Sequence, residues 1–117
     1  MSEQDRRLWH VTLTVAGDTV EPMLLRGALS RLREERPFID TVEFTQNSAE
    51  LQFWDEGAAM LDVASLALRL WSEHRESAGL PNWETVGLEV VEKSVRDTRG
   101  GVRSDQLTAP APHPFHL

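Results

Sequence analysis

Three side chains with acid/base chemistry stand out in the first half of the chain: His10, Glu43 and Glu50. A histidine titrates near neutral pH and a neighbouring carboxylate raises its pKa, so one hypothesis is an acid/base pair on a sheet surface. A second is a metal site, because imidazole and carboxylate together suit Zn, Mn or Fe. No motif surrounds these residues, and polar side chains are expected on a solvated sheet face. The sequence therefore predicts no catalytic residue and no metal ligand, and keeps His10 as a candidate ligand-binding residue.

A second group of candidates lies where the longest predicted helix ends: Trp71, His74 and Trp83. The connector before Trp83 contains Leu80 and Pro81, and it is too apolar to be solvated. One interpretation is an aromatic-lined ligand site with His74 as its polar group, because small-molecule sites are mostly apolar with few polar atoms. The other is core packing, with two buried tryptophans and a histidine placed favourably near a helix C-terminus.

The stretch from Pro110 to Leu117 contains two histidines, His113 and His116. A metal site would need further ligands and a defined backbone, which this stretch does not provide. Its alternating prolines favour an extended, polyproline-like peptide that docks on a partner or on the protein's own sheet.

The common motifs of nucleotide-binding proteins and hydrolases are absent. The sequence contains no GxxxxGK[ST], GxGxxG, HExxH or GxSxG. It also contains no cysteine, which excludes thiol nucleophiles, disulfides and Cys-based zinc or iron–sulfur sites. These observations argue against an enzyme and predict no cofactor.

The charge of the chain limits its partners. Its net charge is −7, and from Arg96 onward three arginines oppose two aspartates, so that residues 1–95 carry −8. Such an acidic surface repels nucleic-acid phosphates, and no nucleic-acid partner is expected. The charged N-terminus lacks an apolar signal region and no stretch approaches the length of a membrane span. We expect a cytoplasmic location and no membrane partner.

Alternation of apolar and polar residues predicts the strands. Leu8–Val15 alternates strictly, as a half-buried strand does. Ile39–Gln46 and Ala49–Trp54 predict a hairpin with Asn47 and Ser48 at its tip, so that the numbers of paired residues sum to 95.

The first helix and the last strand have weaker signals. Asp18 with Glu21 three residues on resembles a capping box, and the helix that follows is expected to end near Arg36. Thr85–Glu92 is predicted as the last strand, with Val86 facing the core.

The second helix is predicted from Gly57 to Ala78, with Asp55 as its N-cap and Gly79 as its left-handed C-cap. Its apolar residues recur at helical spacing and predict one buried stripe. The centre of that stripe is Leu61, Ala64, Leu68 and Trp71, and it is widened by Met60, Val63, Ala67 and Leu70.

The order β-α-β-β-α-β predicts an α+β fold. With right-handed crossovers it gives a ferredoxin-like βαββαβ plait, whose four-stranded antiparallel sheet has the order 4-1-3-2 with both helices on one face. Residues 1–95 form this domain, and the Gly- and Pro-rich residues 96–117 are expected to be a flexible tail.

The uncovered face of that sheet is the natural place for an interface. Leu8, Trp54 and Val91 interrupt its polar surface, and an interface depends on a few aromatic or apolar anchors ringed by polar contacts. A symmetric homodimer through this face is expected, because two-fold dimers are the commonest oligomers.

Part of the chain resembles known sequences. The segments Leu68–Trp71, Glu73–Arg75, Ser77–Pro81 and Val86–Val90 are similar to a set of small uncharacterised proteins of GC-rich bacteria. This resemblance implies no activity, ligand or site residue.

The sequence as a whole predicts a cytoplasmic protein-interaction or accessory domain. It is expected to form a homodimer and to bind an unidentified protein partner. The alternative is a ligand-binding or catalytic plait, similar in layout to monooxygenase-like or isomerase-like domains. In that case His10, or the group formed by Trp71, His74 and Trp83, would supply the site.

Overall fold

The computed structural model describes residues 7–95 and 115–116. Their elements are β1 (Arg7–Ala16), α1 (Pro22–Glu35), β2 (Ile39–Thr45), β3 (Ser48–Gly57), α2 (Met60–Ala78), β4 (Glu84–Glu92) and β5 (Phe115–His116). Residues 93–95 add one helical turn. The α+β class and the open antiparallel sheet are confirmed. The predicted tail, including His113, lies outside the described residues except at 115–116.

The sheet has five strands in the order β4-β1-β3-β2-β5. It differs from the predicted four-stranded sheet by the fifth strand, which pairs antiparallel with the outer edge of β2. In that pairing Phe115 is opposite Phe44 and His116 is opposite Glu43. Backbone pairing of this kind satisfies donors and acceptors that an edge strand otherwise exposes. Residues 115–116 therefore extend the sheet at the edge of β2.

One core joins both helices to the sheet. Its side chains alternate along β1, where Val11, Leu13 and Val15 are fully buried. Helix α1 contributes Leu25 and Leu29 to the same cluster. Burial of this continuous apolar surface is the main favourable term in folding. Among the described residues both helices join this core, and neither covers the opposite face of the sheet.

The predicted hairpin register was wrong by two residues. The turn is formed by Gln46 and Asn47, and Val42 is paired with Leu51 rather than with Phe53. The carbonyl groups of the two turn residues accept hydrogen bonds from the N–H groups of Val20 and Gly17, at 2.8 and 3.0 Å. These contacts come from a distant loop and are invisible to local turn preferences. Since a shift of two preserves the strand period, every side chain keeps its predicted face.

Both predicted N-caps were also wrong. Helix α1 is capped by Glu21, whose Oε1 accepts from the N–H of Leu24 at 3.1 Å, and not by Asp18. Helix α2 starts at Met60 because β3 continues to Gly57, so Asp55 lies in a strand. The predicted helix ends are confirmed: α1 ends at Glu35 with Arg36 as its C-cap, and Gly79 after α2 has φ 77°, a left-handed conformation that glycine adopts without a steric penalty.

The buried face of α2 differs from the predicted stripe. The buried side chains are Val63, Ala67, Leu70, Trp71 and Ala78. Two central members of the predicted stripe, Leu61 and Leu68, are 74% and 50% exposed. Apolar residues surround most of the first half of this helix, so periodicity alone did not identify the side that meets the sheet. Among the described residues no helix is long and apolar enough to span a membrane.

The prediction that Val86, near the start of β4, faces the core was also wrong. Thr85, not Val86, lies opposite Val15, because the pairing of β1 with β4 shifts between Thr14 and Val15. Val86 is 59% exposed as a result. A bulge of this kind adds one residue to a strand and redirects a side chain.

Candidate functional site

The sheet face opposite the helices, called here the open face, contains most of the predicted site residues. The strand pairing places them in cross-strand rows. The residues of this face include Leu8, His10, Thr12 and Thr14 from β1, Glu43 and Thr45 from β2, Glu50, Gln52 and Trp54 from β3, and Glu89 and Val91 from β4.

One end of this face is apolar, and His10 is at its centre. His10 lies between Trp54 on β3 and Val91 on β4. Its ring meets the Trp54 ring edge to face, with centroids 4.9 Å apart and planes inclined by 70°. His10 is 6% exposed, whereas a solvated position was predicted. Trp54, Val91 and Leu8 are half-buried, and together with His10 they form the apolar end of the open face.

The other end of the open face is acidic. Glu43 and Glu50 are directly opposite each other on β2 and β3. Burial raises the pKa of Glu50, and the negative charges of Glu43 and Glu89 add to that effect, while a hydrogen bond with Gln52 opposes it. Like charges in directly opposed positions are destabilising. We call Glu43, Glu50 and Glu89 the acidic end of the open face. Their negative charges favour a proton or a positively charged partner at this end.

The structure does not bring His10 together with either glutamate. His10 is paired with Trp54, whereas Glu50 is paired with Thr14, four residues further along β1. At ~3.4 Å per residue the two rows are ~14 Å apart, which is beyond direct proton transfer. In the described part of the chain no cluster of three or more His, Asp or Glu side chains has the arrangement of a metal site.

The structure does bring Trp71 and Trp83 together. Their rings are stacked with centroids 5.9 Å apart and planes inclined by 2°. The indole N–H of Trp71 donates to the carbonyl of Pro81 at 3.1 Å, and that of Trp83 donates to the carbonyl of Asp18 at 2.8 Å. Both rings are buried and both polar atoms are already bonded. The pair closes one end of the core.

His74 has a partner that sequence reasoning missed. Its Nδ1 lies 2.9 Å from Oε1 of Glu35 at the end of α1, and Ser77 Oγ donates to the same oxygen at 2.7 Å. The bond from Ser77 is the main reason that the pKa of Glu35 is lowered, with His74 adding to it. Nothing local in the sequence indicates this contact, because 39 residues separate Glu35 from His74.

This cluster does not have the order of a catalytic triad. In a Ser-His-acid triad the hydroxyl group bonds to the imidazole nitrogen that does not face the acid. Here Ser77 bonds to the carboxylate of Glu35, and the Nε2 atom of His74 is buried without a hydrogen bond to any described residue. The arrangement joins α1 to α2 and does not activate Ser77.

A cavity of about 530 Å³ lies near this end of α2. It is lined by Ser72, Arg75, Glu76, Gly79 and Leu80. Neither Trp71, His74 nor Trp83 lines it. The cavity therefore differs from the aromatic ligand site that the sequence suggested.

These features define an α+β domain with a partly apolar, partly acidic open sheet face. The chain belongs to the family described as Domain of unknown function (DUF8830), whose model matches residues 8–106. A search of curated proteins and a search of solved structures found no match. The family description agrees with the predicted resemblance to uncharacterised proteins.

Proposed function

We propose that this chain is a non-enzymatic protein-interaction domain in a ferredoxin-like plait, and that its open face docks a protein partner. The observation that carries the proposal is the packing of half-buried Trp54 against buried His10 on the face that the helices leave uncovered. Leu8 and Val91 flank this pair. A domain core formed by residues 1–95 and a cytoplasmic location are parts of the same proposal.

Trp54 has the properties of an interface anchor. Tryptophan is enriched among the residues that dominate binding energy, and such residues lie centrally within a polar ring. Contact with His10 holds the indole in one orientation before a partner arrives. Binding then costs less side-chain entropy than it would for a mobile aromatic residue.

The acidic end favours a basic partner surface. Glu43, Glu50 and Glu89 share this end, and the raised pKa of Glu50 reflects their mutual repulsion as well as burial. Lysine or arginine side chains of a partner would relieve that repulsion. A second copy of this chain would bring three more carboxylates to a fully overlapping interface. We therefore assign the open face to a basic protein and not to self-association.

The alternative of a small-ligand site has less support. Trp71 and Trp83 are stacked on each other, and both indole N–H groups donate to backbone carbonyls. A ligand entering there would have to separate the two rings. His10 is covered by its cross-strand neighbours and lies far from the acidic end.

The experiment uses affinity capture followed by reconstitution. The full chain is used to capture proteins from cells, and the captured protein is purified and titrated against the full chain by calorimetry. Trp54→Ala is expected to weaken this binding by at least ~30-fold, as loss of a central aromatic anchor does. Glu50→Gln is expected to weaken it less and to reduce its dependence on salt.

The matched control is Met23→Ser, which changes a 70% exposed apolar residue on α1. It is expected to leave the affinity unchanged. A purified partner that binds Trp54→Ala as tightly as the wild type would overturn the assignment of the open face. A partner without salt-dependent binding would overturn the assignment of a basic surface.

A further inference from the structure

Helix α2 presents a second apolar surface that the core does not use. Leu61 and Leu68 are 74% and 50% exposed, and they lie seven residues apart on one side of the helix. Ser65 lies between them and Ser72 follows Leu68 in the same stripe. The resulting spacing of four, three and four residues is that of a helix–helix seam. We call these four residues the α2 seam.

We propose that two copies of this chain pack their α2 helices antiparallel through the α2 seam, forming a two-fold dimer that leaves both open faces available. This dimer differs from the one that the sequence predicts, which uses Leu8, Trp54 and Val91 on the open face, and it is independent of the docking proposed for that face. Its basis is self-complementarity of shape and charge along one helix.

The shape argument follows from the alternation of large and small residues. When the helices are antiparallel and the two-fold axis lies level with residues 66 and 67, Leu61 of one copy lies opposite Ser72 of the other. In the same arrangement Leu68 lies opposite Ser65. Each of the four layers then pairs one leucine with one serine. Such pairing of large with small residues lets helices approach closely and fill the space between them.

The charge argument concerns the flank of the seam. Asp62 and Arg69 lie seven residues apart on the same side of α2, next to the two leucines. The antiparallel arrangement places Asp62 of each copy near Arg69 of the other, so that two opposite-charge pairs form. In the single chain Arg69 Nε bonds to Glu73 at 3.2 Å, in an exposed i,i+4 pair that contributes little. The flank therefore favours this register over one that pairs like charges.

The surface is small for a protein interface. A standard stable interface buries ~1,600 Å² in total, and a seam of three helical turns buries less. Self-association is therefore expected in the micromolar range, so that the protein is monomeric when dilute and dimeric when concentrated. Leu66 is 53% exposed and lies outside the seam, further around α2 on the same side as Asp62 and Arg69.

The test is sedimentation equilibrium of the full chain over a concentration range of ~1–500 µM. The wild type is expected to convert from monomer to dimer within this range. Leu68→Ser is expected to weaken the dimer at least ~10-fold, and the matched control Leu66→Ser to leave it unchanged. Asp62→Arg and Arg69→Asp are each expected to weaken it, whereas the double variant restores affinity, which loss of helix stability alone would not do.

Four results would overturn the inference. The first is a wild type that stays monomeric throughout the range. The second is an equal effect of Leu66→Ser and Leu68→Ser. The third is additive loss in the charge-swapped double variant. The fourth is a dimer that Trp54→Ala abolishes and Leu68→Ser does not, which would return self-association to the open face. None of the first three bears on partner docking, which is measured separately with Trp54→Ala.

Discussion

His74 on α2 lies with its Nδ1 atom 2.9 Å from Oε1 of Glu35 on α1, and this contact fixes the two helices relative to each other. A second contact nearby has the same effect, since Arg31 Nε donates to the carbonyl of Ala78 at 2.8 Å. Polar contacts between helices thus accompany the apolar contacts beneath them. They orient α2, and with it the seam that α2 presents to solvent.

The Glu35 contact predicts a pH dependence of stability. The native pKa of Glu35 lies below its ordinary value of 4.5, chiefly because Ser77 donates to it. Folding therefore favours the ionised carboxylate. The resulting stabilisation is complete at neutral pH and is lost as the pH falls below 4.5 and through the lower native pKa. Glu35→Gln is expected to lower the urea midpoint at neutral pH, and the loss should shrink in acid. Ser77→Ala should reproduce part of this decrease in the urea midpoint. A decrease of the same size at neutral and acid pH would contradict the prediction.

The raised pKa of Glu50 predicts a pH dependence of stability with the opposite sign. Burial and the charge of Glu43 raise its pKa in the folded state, so folding disfavours the ionised form. Its contribution is therefore unfavourable at neutral pH, shrinks as the pH falls through the raised native pKa, and is absent below 4.5. Glu50→Gln is expected to stabilise the protein at neutral pH by less than about 1 kcal/mol, since the group is partly solvated. Chemical denaturation of this variant and of Glu34→Gln, an exposed helix control, tests the sign. Destabilisation by Glu50→Gln at neutral pH would refute it.

Substitution by alanine is expected to have opposite effects on stability at Gly17 and at Gly27. A Cβ atom at Gly17 would lie 2.2 Å from Trp83 Cδ1, in the ring that closes the core. Gly17→Ala is expected to cost about 1–3 kcal/mol through overpacking. At Gly27 the nearest atom is 3.6 Å away, in the flexible side chain of Arg31. Gly27→Ala is therefore expected to stabilise α1 by about 0.5–1 kcal/mol. Thermal unfolding of both variants provides the comparison, and equal shifts would show that Trp83 does not occupy this space.

The observed orientation of α2 predicts that substitutions at Val63 and at Leu61 differ in their effect on stability. Val63 is 1% exposed and Leu61 is 74% exposed. Val63→Ala is expected to cost ~2 kcal/mol, because it removes buried methyl groups and leaves a cavity. Leu61→Ala should change the stability of the dilute monomer by no more than ~0.5 kcal/mol. The originally predicted stripe would reverse this order, so urea unfolding of the two variants distinguishes the two orientations.

Sequence patterns predicted the strands well because their period is local. The alternation in Leu8–Val15 identified β1. Val42 and Phe44 were assigned to the correct face of the sheet, although the hairpin register was wrong by two residues. The register itself depended on hydrogen bonds from Gly17 and Val20 to the turn, which arise only in the folded chain. Local turn preferences do not contain that information.

The site was less predictable, because its properties depend on neighbours from other strands. The sequence pattern predicts His10 as one polar residue among several on a solvated face. It is buried because Trp54 and Val91 flank it, and those neighbours are distant in sequence. The partner of His74 was missed for the same reason. Alternation placed His10 and Trp54 on the same face of the sheet, whereas their exposure depends on the assembled sheet.

The central claim is that a protein partner docks on the open face around Trp54. Amide hydrogen exchange of the full chain, alone and saturated with the purified captured partner, tests it most directly. The claim predicts added protection in β1, β3 and β4, on both sides of His10, and no change in α1. Protection confined to α1 or to the α2 seam, with the sheet amides unchanged, would contradict it.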